Sequence, residues 1–531
     1  MQKSSRYASL TFMGKSLLKS GTRLSALTFL SRILGLVREM TKAAFLGTTE
    51  LSDAFSVAFM IPNLLRRLFA EGSISVAFIP TFRRYLETES AETTKSFLSA
   101  TFTLISLITT VTVGIGILAT PLIVPIFGTG TAETVLLTRI MFPYLAIISV
   151  SAFFQGILNG VKVFSPSGFT PILFNLIVIG TTWLLAPAME NAARAMAVGV
   201  LLGGAVQAFF QLPYVLREGF RFSFTTVKKA FANPGTRKVL ALVGPTVIGM
   251  AAYQFNDLVS TALAGHAGKG VVSSLQYSLR LQELILGIFA VSIGTVILPD
   301  LSGFSARKEW GAFNDLLARA MKIIALITIP VTFFSLLTGR NIITLLFGGA
   351  VFDEKSVELT LNAFTWHVAG LFFIALNRIV SPAFYAQSDT KSPTLAGILS
   401  FAVNVVLAVA LVTPLKGGGI ALALSLASAS NTVLLFVFLR KNPSVDVIKV
   451  VRSTSLYAAK MVVLSLIAAA PVYFLLPRLH AAFAGHGKLV GEGVPLVAAL
   501  VLFAAAGIGL LALTRDPIAR EGLAMARKRG K

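Results

Sequence analysis

The chain has 531 residues, 55% of them hydrophobic and only 13% charged, about half the charge density of a soluble globular protein, which excludes a water-soluble fold. It contains no cysteine, which removes disulfides, thiolate metal sites and cysteine nucleophiles. A net charge of +23 would suggest nucleic acid in a soluble protein, but basic cytoplasmic loops produce the same excess in a membrane chain, so no nucleic-acid partner is expected.

A spanning helix needs about 20 mostly apolar residues. Runs of that kind recur and predict an all-α polytopic membrane protein with about fourteen transmembrane helices. They lie near residues 24–46, 54–81, 98–126, 135–160, 168–187, 195–216, 240–264, 271–300, 316–338, 358–386, 392–413, 417–439, 454–476 and 493–514. The first run is interrupted by Arg32, Arg38 and Glu39, and no small-residue cleavage pattern follows it. It therefore reads as a span and not as a signal peptide. Alternate connections carry roughly 28 Lys and Arg against about 8 on the opposite side, which places both termini in the cytoplasm.

A weak repeat at an offset near 220 residues pairs Leu68-Phe69-Ala70, running to Pro80, with Ile288-Phe289-Ala290, running to Pro299. The predicted organisation is a cytoplasmic tail (1–23), a first half of six spans (24–225), a second half of six (226–442), two unmatched spans (443–514) and a basic tail (515–531). Transporters built from repeats commonly bind substrate between their halves.

The charged residues inside these runs carry the functional signal. An ionised side chain at mid-bilayer costs about 2.5–3.5 kcal/mol even on the lenient insertion scale, yet 28–75 holds Arg32, Arg38, Glu39, Lys42, Asp53, Arg66, Arg67 and Glu71. At 100° per residue, Thr28, Ser31, Arg32, Gly35, Arg38, Glu39 and Lys42 share an arc of about 120°. A surface-lying amphipathic helix would show the same stripe. In the second span Asp53, Ser56, Asn63, Arg67, Glu71 and Ser75 share a face, Arg67 and Glu71 are spaced to pair, and Pro62 predicts a kink. Arg66 lies off that stripe with no obvious partner at helical spacing, which makes it a better ligand for an anion; snorkelling to an interface is the alternative. The eighth span presents Gln276, Arg280, Glu283, Gly287 and Gly294 on one face.

Arginine forks make paired hydrogen bonds to phosphate oxygens and stay charged at any relevant pH. Arg32, Arg38, Arg66 and Arg280 would suit a diphosphate with a large polar headgroup. The four histidines lack metal-ligand spacing, so no metal and no cofactor is expected. Asp257 and Asn404 read as helix-to-helix hydrogen-bonding groups, and Asn362, Trp366 and His367 as an interfacial belt.

Ser31-Arg32-Ile33-Leu34-Gly35-Leu36-Val37-Arg38-Glu39, Asp53-Ala54-Phe55 and the run from Pro62 to Gly72 resemble signatures of the MurJ (MviN) lipid II flippases. So do Arg280 with Glu283, Gly294 to Pro299, Pro382 to Tyr385 and Asp389 to Pro393. The resemblance implies the MOP exporter fold: two six-helix lobes in a V around a cationic cavity, with the last two helices forming a lipid-accessible groove. It implies transport of undecaprenyl-diphosphate-linked peptidoglycan precursor to the outer leaflet of the bacterial inner membrane. The partners it implies are lipid II and membrane lipids, with other cell-wall synthesis proteins as candidates. The family's cavity residues fall on Arg32, Arg38, Asp53, Arg66 and Arg280, and Glu39 stands where the family often has Asp. The family favours Arg66 where stripe phase alone favours Arg67. Some members hold sodium with carboxylates in helices 7 and 11; here those helices offer only Asp257 and Asn404, and the site is incomplete.

An O-antigen type flippase shares the same diphosphate-prenyl handle and is the nearest alternative. A drug or cation exporter would want carboxylates where this chain has arginines. A membrane enzyme acting on polyprenyl phosphates would need paired acids near one membrane face, and Asp353-Glu354 is the only adjacent acidic pair.

Overall fold

The computed structural model describes residues 26–68 and 77–521, with the backbone alone described at 245–253 and 288–296. Every regular element among the described residues is helical. Two compact units divide the chain, Met1–His266 and Ala267–Lys531.

The first unit holds α1 (26–46), α2 (Glu50–Arg66), α3 (Ile79–Thr88), α4 (Ala91–Ile123), α5 (Ala132–Met141), α6 (Tyr144–Gly160), α7 (Ser165–Leu185), α8 (Ala192–Arg217), α9 (Val227–Ala232) and α10 (Pro234–Ala267). Several starts are set by side-chain caps: Thr49 accepts from the Ser52 amide, Ser90 from Thr93, Thr131 from Thr134 and Asn191 from Arg194, each satisfying an amide the helix cannot. Inside the helices, hydroxyls donate back one turn, as Thr101 does to the Phe97 carbonyl and Thr120 to Gly116. That spares a polar group from facing hydrocarbon unpaired. One core gathers Leu46, Phe55, Met141, Tyr144 and Phe174 from α1, α2, α5, α6 and α7. A second stacks Phe78, Phe82, Tyr85, Phe97 and Phe153.

The second unit holds α11 (Val271–Ala306), α12 (Trp310–Phe347), α13 (Glu354–Ala369), α14 (Leu371–Tyr385), α15 (Lys391–Leu415), α16 (Gly417–Leu439), α17 (Val447–Phe483), α18 (Lys488–Gly491) and α19 (Gly493–Leu513). Its main core draws Leu301, Phe313, Leu317, Ile324, Ile379 and Leu435 from α11, α12, α14 and α16. The last two long helices dock on α12, with Val472, Leu476, Ala499 and Phe503 meeting Phe333 and Phe334. A polar knot closes one end of that contact: the Asn341 amide lies 2.5 Å from His480 Nε2 and donates to Glu492 at 3.0 Å.

Among the described residues nine helices are long and apolar enough to cross a membrane, or ten if α13 and α14, bent by 42° at their junction, form one span. Their outer faces are greasy: Leu118, Leu122, Leu184 and Leu513 are each close to 80% exposed. Water would not tolerate apolar surface on that scale, and lipid would. The chain is a multi-pass membrane protein. The helix at 26–46 falls outside the nine because Arg32, Arg38, Glu39 and Lys42 lie within it.

Candidate functional site

α1 is amphipathic in the inverted sense. Phe29, Leu30, Ile33 and Val37 are exposed, whereas Gly35, Thr41 and Lys42 are buried and Arg38 and Glu39 are largely so. A helix on a water-soluble surface does the opposite. The polar face therefore turns into the first unit, where α2 meets it.

Four charged side chains gather there. Arg38 donates to Glu39 at 2.8 Å, and its guanidinium carbon sits 5.8 Å from the ring centres of both Phe59 and Phe174. Two flanking rings and one carboxylate hold a planar cation in a fixed attitude. Lys42, 3% exposed, donates from Nζ to Ser56 Oγ at 2.6 Å, and the Ser56 hydroxyl donates to the Ser52 carbonyl at 2.7 Å. Asp53 is 2% exposed one turn earlier on α2, and Glu39 and Asp53 both act on the Lys42 ammonium. Burying ions costs several kcal/mol apiece unless they are paired and hydrogen-bonded; here Arg38 and Glu39 pair directly and Lys42 is hydrogen-bonded to Ser56. Arg32, one and a half turns before Arg38, is half-buried and among the described residues has no hydrogen-bond or ion-pair partner.

α2 runs through Pro62 to Arg66 and gives way to a wider π-type turn at 67–68, a feature often found where function is built. Arg66 does have a partner at helical spacing, contrary to the sequence reading: its Nε donates to Asn63 Oδ1 at 2.9 Å. Asn63 lies on the neighbouring stripe, three residues before Arg66, and the i−3 contact crosses between the two. Arg67 reaches α10, donating to Gln254 Oε1 and to Asp257 Oδ2, both at 3.4 Å. Asp257 thus serves as a helix-to-helix partner. Glu71, the expected partner of Arg67, lies outside the described residues.

In the second unit Arg280 pairs with Glu283 at 3.3 Å, with the two side chains 28% and 63% exposed. This weak, half-solvated bond leaves the guanidinium open to a stronger anion. Two further features escaped the sequence reading. Arg378 stands exposed within α14 and, among the described residues, has no partner; an arginine inside an apolar run was the signal. His367 does not belong to an interfacial belt. It is 1% exposed and bonded through Nδ1 to Ser278 Oγ at 2.6 Å, while Gln282 donates to its carbonyl at 2.5 Å. Helical phase turns that face of α13 onto α11.

The structure thus brings together Arg38, Glu39 and Asp53, with Lys42 added, on one side of α1 and α2. It places Arg67 against α10, and Arg280 with Glu283 on α11. Comparison with known proteins gives one answer. A family model described as lipid II flippase MurJ matches residues 42–489. The probable lipid II flippase MurJ of Treponema pallidum (strain Nichols) is 48% identical over 514 residues, covering 96% of this chain and 98% of that protein. A solved lipid II flippase MurJ in an inward closed conformation superposes with a TM-score of 0.76 at 26% identity, covering 93% of this chain and 99% of that one. An inward-facing MATE family transporter of the MOP superfamily shares the fold, with a TM-score of 0.63 at 14% identity, over 80% of this chain and 96% of its own.

Proposed function

The chain belongs to the MurJ family of lipid II flippases, and from that premise we propose that it moves a polyprenyl-diphosphate-linked peptidoglycan precursor between membrane leaflets by alternating access. The observation that carries this reading is the inverted polarity of α1, with Arg38, Glu39 and Lys42 turned inward and its apolar side outward. Charged side chains inside a membrane helix are rare and costly, and they commonly mark the path of a polar or charged substrate.

On this reading the lipid's diphosphate is engaged by Arg32, Arg38, Arg66 and Arg280, with Arg67 as a further cation of the set, while the carboxylates Glu39, Asp53 and Glu283 balance the positive charge and Glu71 is a further candidate for that role. Arg38 is well suited to the role. The Phe59 and Phe174 rings stand beside its guanidinium and Glu39 binds one of its nitrogens, which restricts its rotamers, while the N–H groups that Glu39 does not use are donors for phosphate oxygens. The headgroup enters from the cytoplasmic side of the inner membrane, both termini are cytoplasmic, and the prenyl chain stays in lipid beside α17 and α19. A cation cluster that closes around an anion has different affinities in its open and closed states, which is the condition for coupling binding to rearrangement. Other cell-wall synthesis proteins are partners on the same reading.

Translocation makes and breaks no covalent bond, so the chain works as a transporter and not as an enzyme. Purified protein reconstituted in vesicles with labelled lipid II should move the label to the opposite leaflet and return it chemically unchanged. A covalently altered product on thin-layer chromatography would contradict this.

A further inference from the structure

The second unit contains a cleft that the translocation reading leaves unused. It opens where the first turns of α12 and α17 meet residues 517–521, and its volume of about 330 Å3 falls within the range of small-ligand sites. One wall is firmly built. Asp516 is fully buried and accepts from Tyr457 Oη at 3.0 Å, Lys460 Nζ at 2.6 Å and the Ala519 amide at 3.0 Å. Two donors from α17, Tyr457 and Lys460, pin the segment after α19 back onto that helix, and the Ala519 amide caps the local turn.

The lining is basic and incompletely satisfied. Arg319 and Lys322 project from α12 and Lys449 from α17, against the carboxylates Asp315 and Glu521. Arg319 already holds an anion, the side chain of Glu521. Lys322 and Lys449 have no ion-pair partner among the described residues. Asn314 also lines the cleft, and its Oδ1 is buried with no donor, while its amide donates to the Ser444 carbonyl at 3.5 Å.

We propose that this cleft binds a phosphate group bearing a hydroxylated substituent, of the glycerophosphate type, with Glu521 as a built-in competitor. Lys322 and Lys449 take the phosphate oxygens, Arg319 joins them by exchanging its carboxylate partner for phosphate, and Asn314 Oδ1 accepts from the ligand hydroxyl. The same chemistry reaches the cleft as a lipid headgroup or as a soluble phosphate ester. The site lies on the side that carries the basic connections Arg307–Lys308 and Arg440–Arg452, where anionic headgroups concentrate near cationic protein.

The test uses the full chain. Retention of phosphatidylglycerol against phosphatidylcholine is read by native mass spectrometry from mixed nanodiscs, and binding of glycerol 1-phosphate is read by calorimetry in a zwitterionic detergent. Selective phosphatidylglycerol retention alone identifies the lipid source, and glycerol 1-phosphate binding identifies the soluble one; either supports the site. The Lys322→Gln/Lys449→Gln variant should bind about tenfold more weakly or worse, having lost two charge-assisted contacts. Glu521→Gln should bind several-fold more tightly, a gain that misfolding cannot mimic. Wild-type protein that takes neither probe, a double variant that binds like wild type, or a Glu521→Gln variant that binds no tighter overturns the proposal.

Discussion

Lys42 shows what a buried cation demands of its neighbours. At 3% exposure it donates a hydrogen bond to Ser56, and Glu39 and Asp53 supply opposing charge beside it. Removing one member of such a set strands the rest, whereas removing both opposing ions is often close to neutral. Asp53→Ala should therefore destabilise the folded protein in detergent by about 3 kcal/mol, and adding Lys42→Met should restore most of that loss. Equal unfolding midpoints for wild type and Asp53→Ala would show that the two charges do not depend on each other. At this scale the sequence was legible wherever helical phase decided the matter. That Arg38 and Glu39 share one face of α1, and that Asp53 lies on the polar face of α2, follows from 100° spacing; that these faces turn inward comes from the packing. The Asn63 contact of Arg66 is an ordinary i,i+3 neighbour that sorting residues by stripe passes over, and no local spacing supplies the cross-helix reach of Arg67 to Gln254 and Asp257, 187 and 190 residues away in the chain.

At the scale of elements, the run at 358–386 reads as one span but is broken. Gly370 ends α13, and α14 departs at 42°. The reason is a close approach that hydropathy does not encode: a Cβ on Gly370 would lie 2.5 Å from Ser425 Cβ and 2.8 Å from its Cα, on α16. Gly370→Ala should cost about 2 kcal/mol by overpacking. Gly114→Ala, with nothing within 4 Å of the added carbon, should cost nothing or stabilise α4 slightly. Thermal unfolding of the two variants side by side checks the contrast. The run at 135–160, by contrast, holds as one span, Ala132–Gly160, with only a turn at residues 142–143 between α5 and α6, where Pro143 cannot donate to the preceding turn. The segment after α19 makes a pH prediction. Burial pushes the Asp516 carboxyl up, but the hydrogen bonds from Lys460, the Ala519 amide and Tyr457 outweigh burial and hold it below its ordinary value. A depressed carboxyl contributes stability above its unfolded pKa and loses it as pH falls through the folded value. Residues 515–521 should stay protected from hydrogen exchange at neutral pH and lose protection only below about pH 4, and Asp516→Asn should lose that protection at every pH. Protection unchanged in Asp516→Asn would refute the anchoring role.

For the whole molecule, the fold class was open to reading because lipid imposes a simple rule: long apolar helices with their polar groups satisfied internally. The all-helical architecture and the family both follow from features visible in the chain, the apolar runs and the arginine-bearing motifs at 31–39 and 62–72. What stayed hidden are the long-range choices: which helices dock α17 and α19, and that His367 turns inward to Ser278. Those depend on side-chain fit between segments far apart in sequence, which no local pattern records.

Lipid II exposed at the outer leaflet, followed in living cells after depletion of the native protein and complementation with variants, tests the central claim most directly. Arg38→Ala and Arg66→Ala should reach the membrane at wild-type levels and fail to restore exposure. Wild-type exposure in both variants would contradict an arginine-held diphosphate.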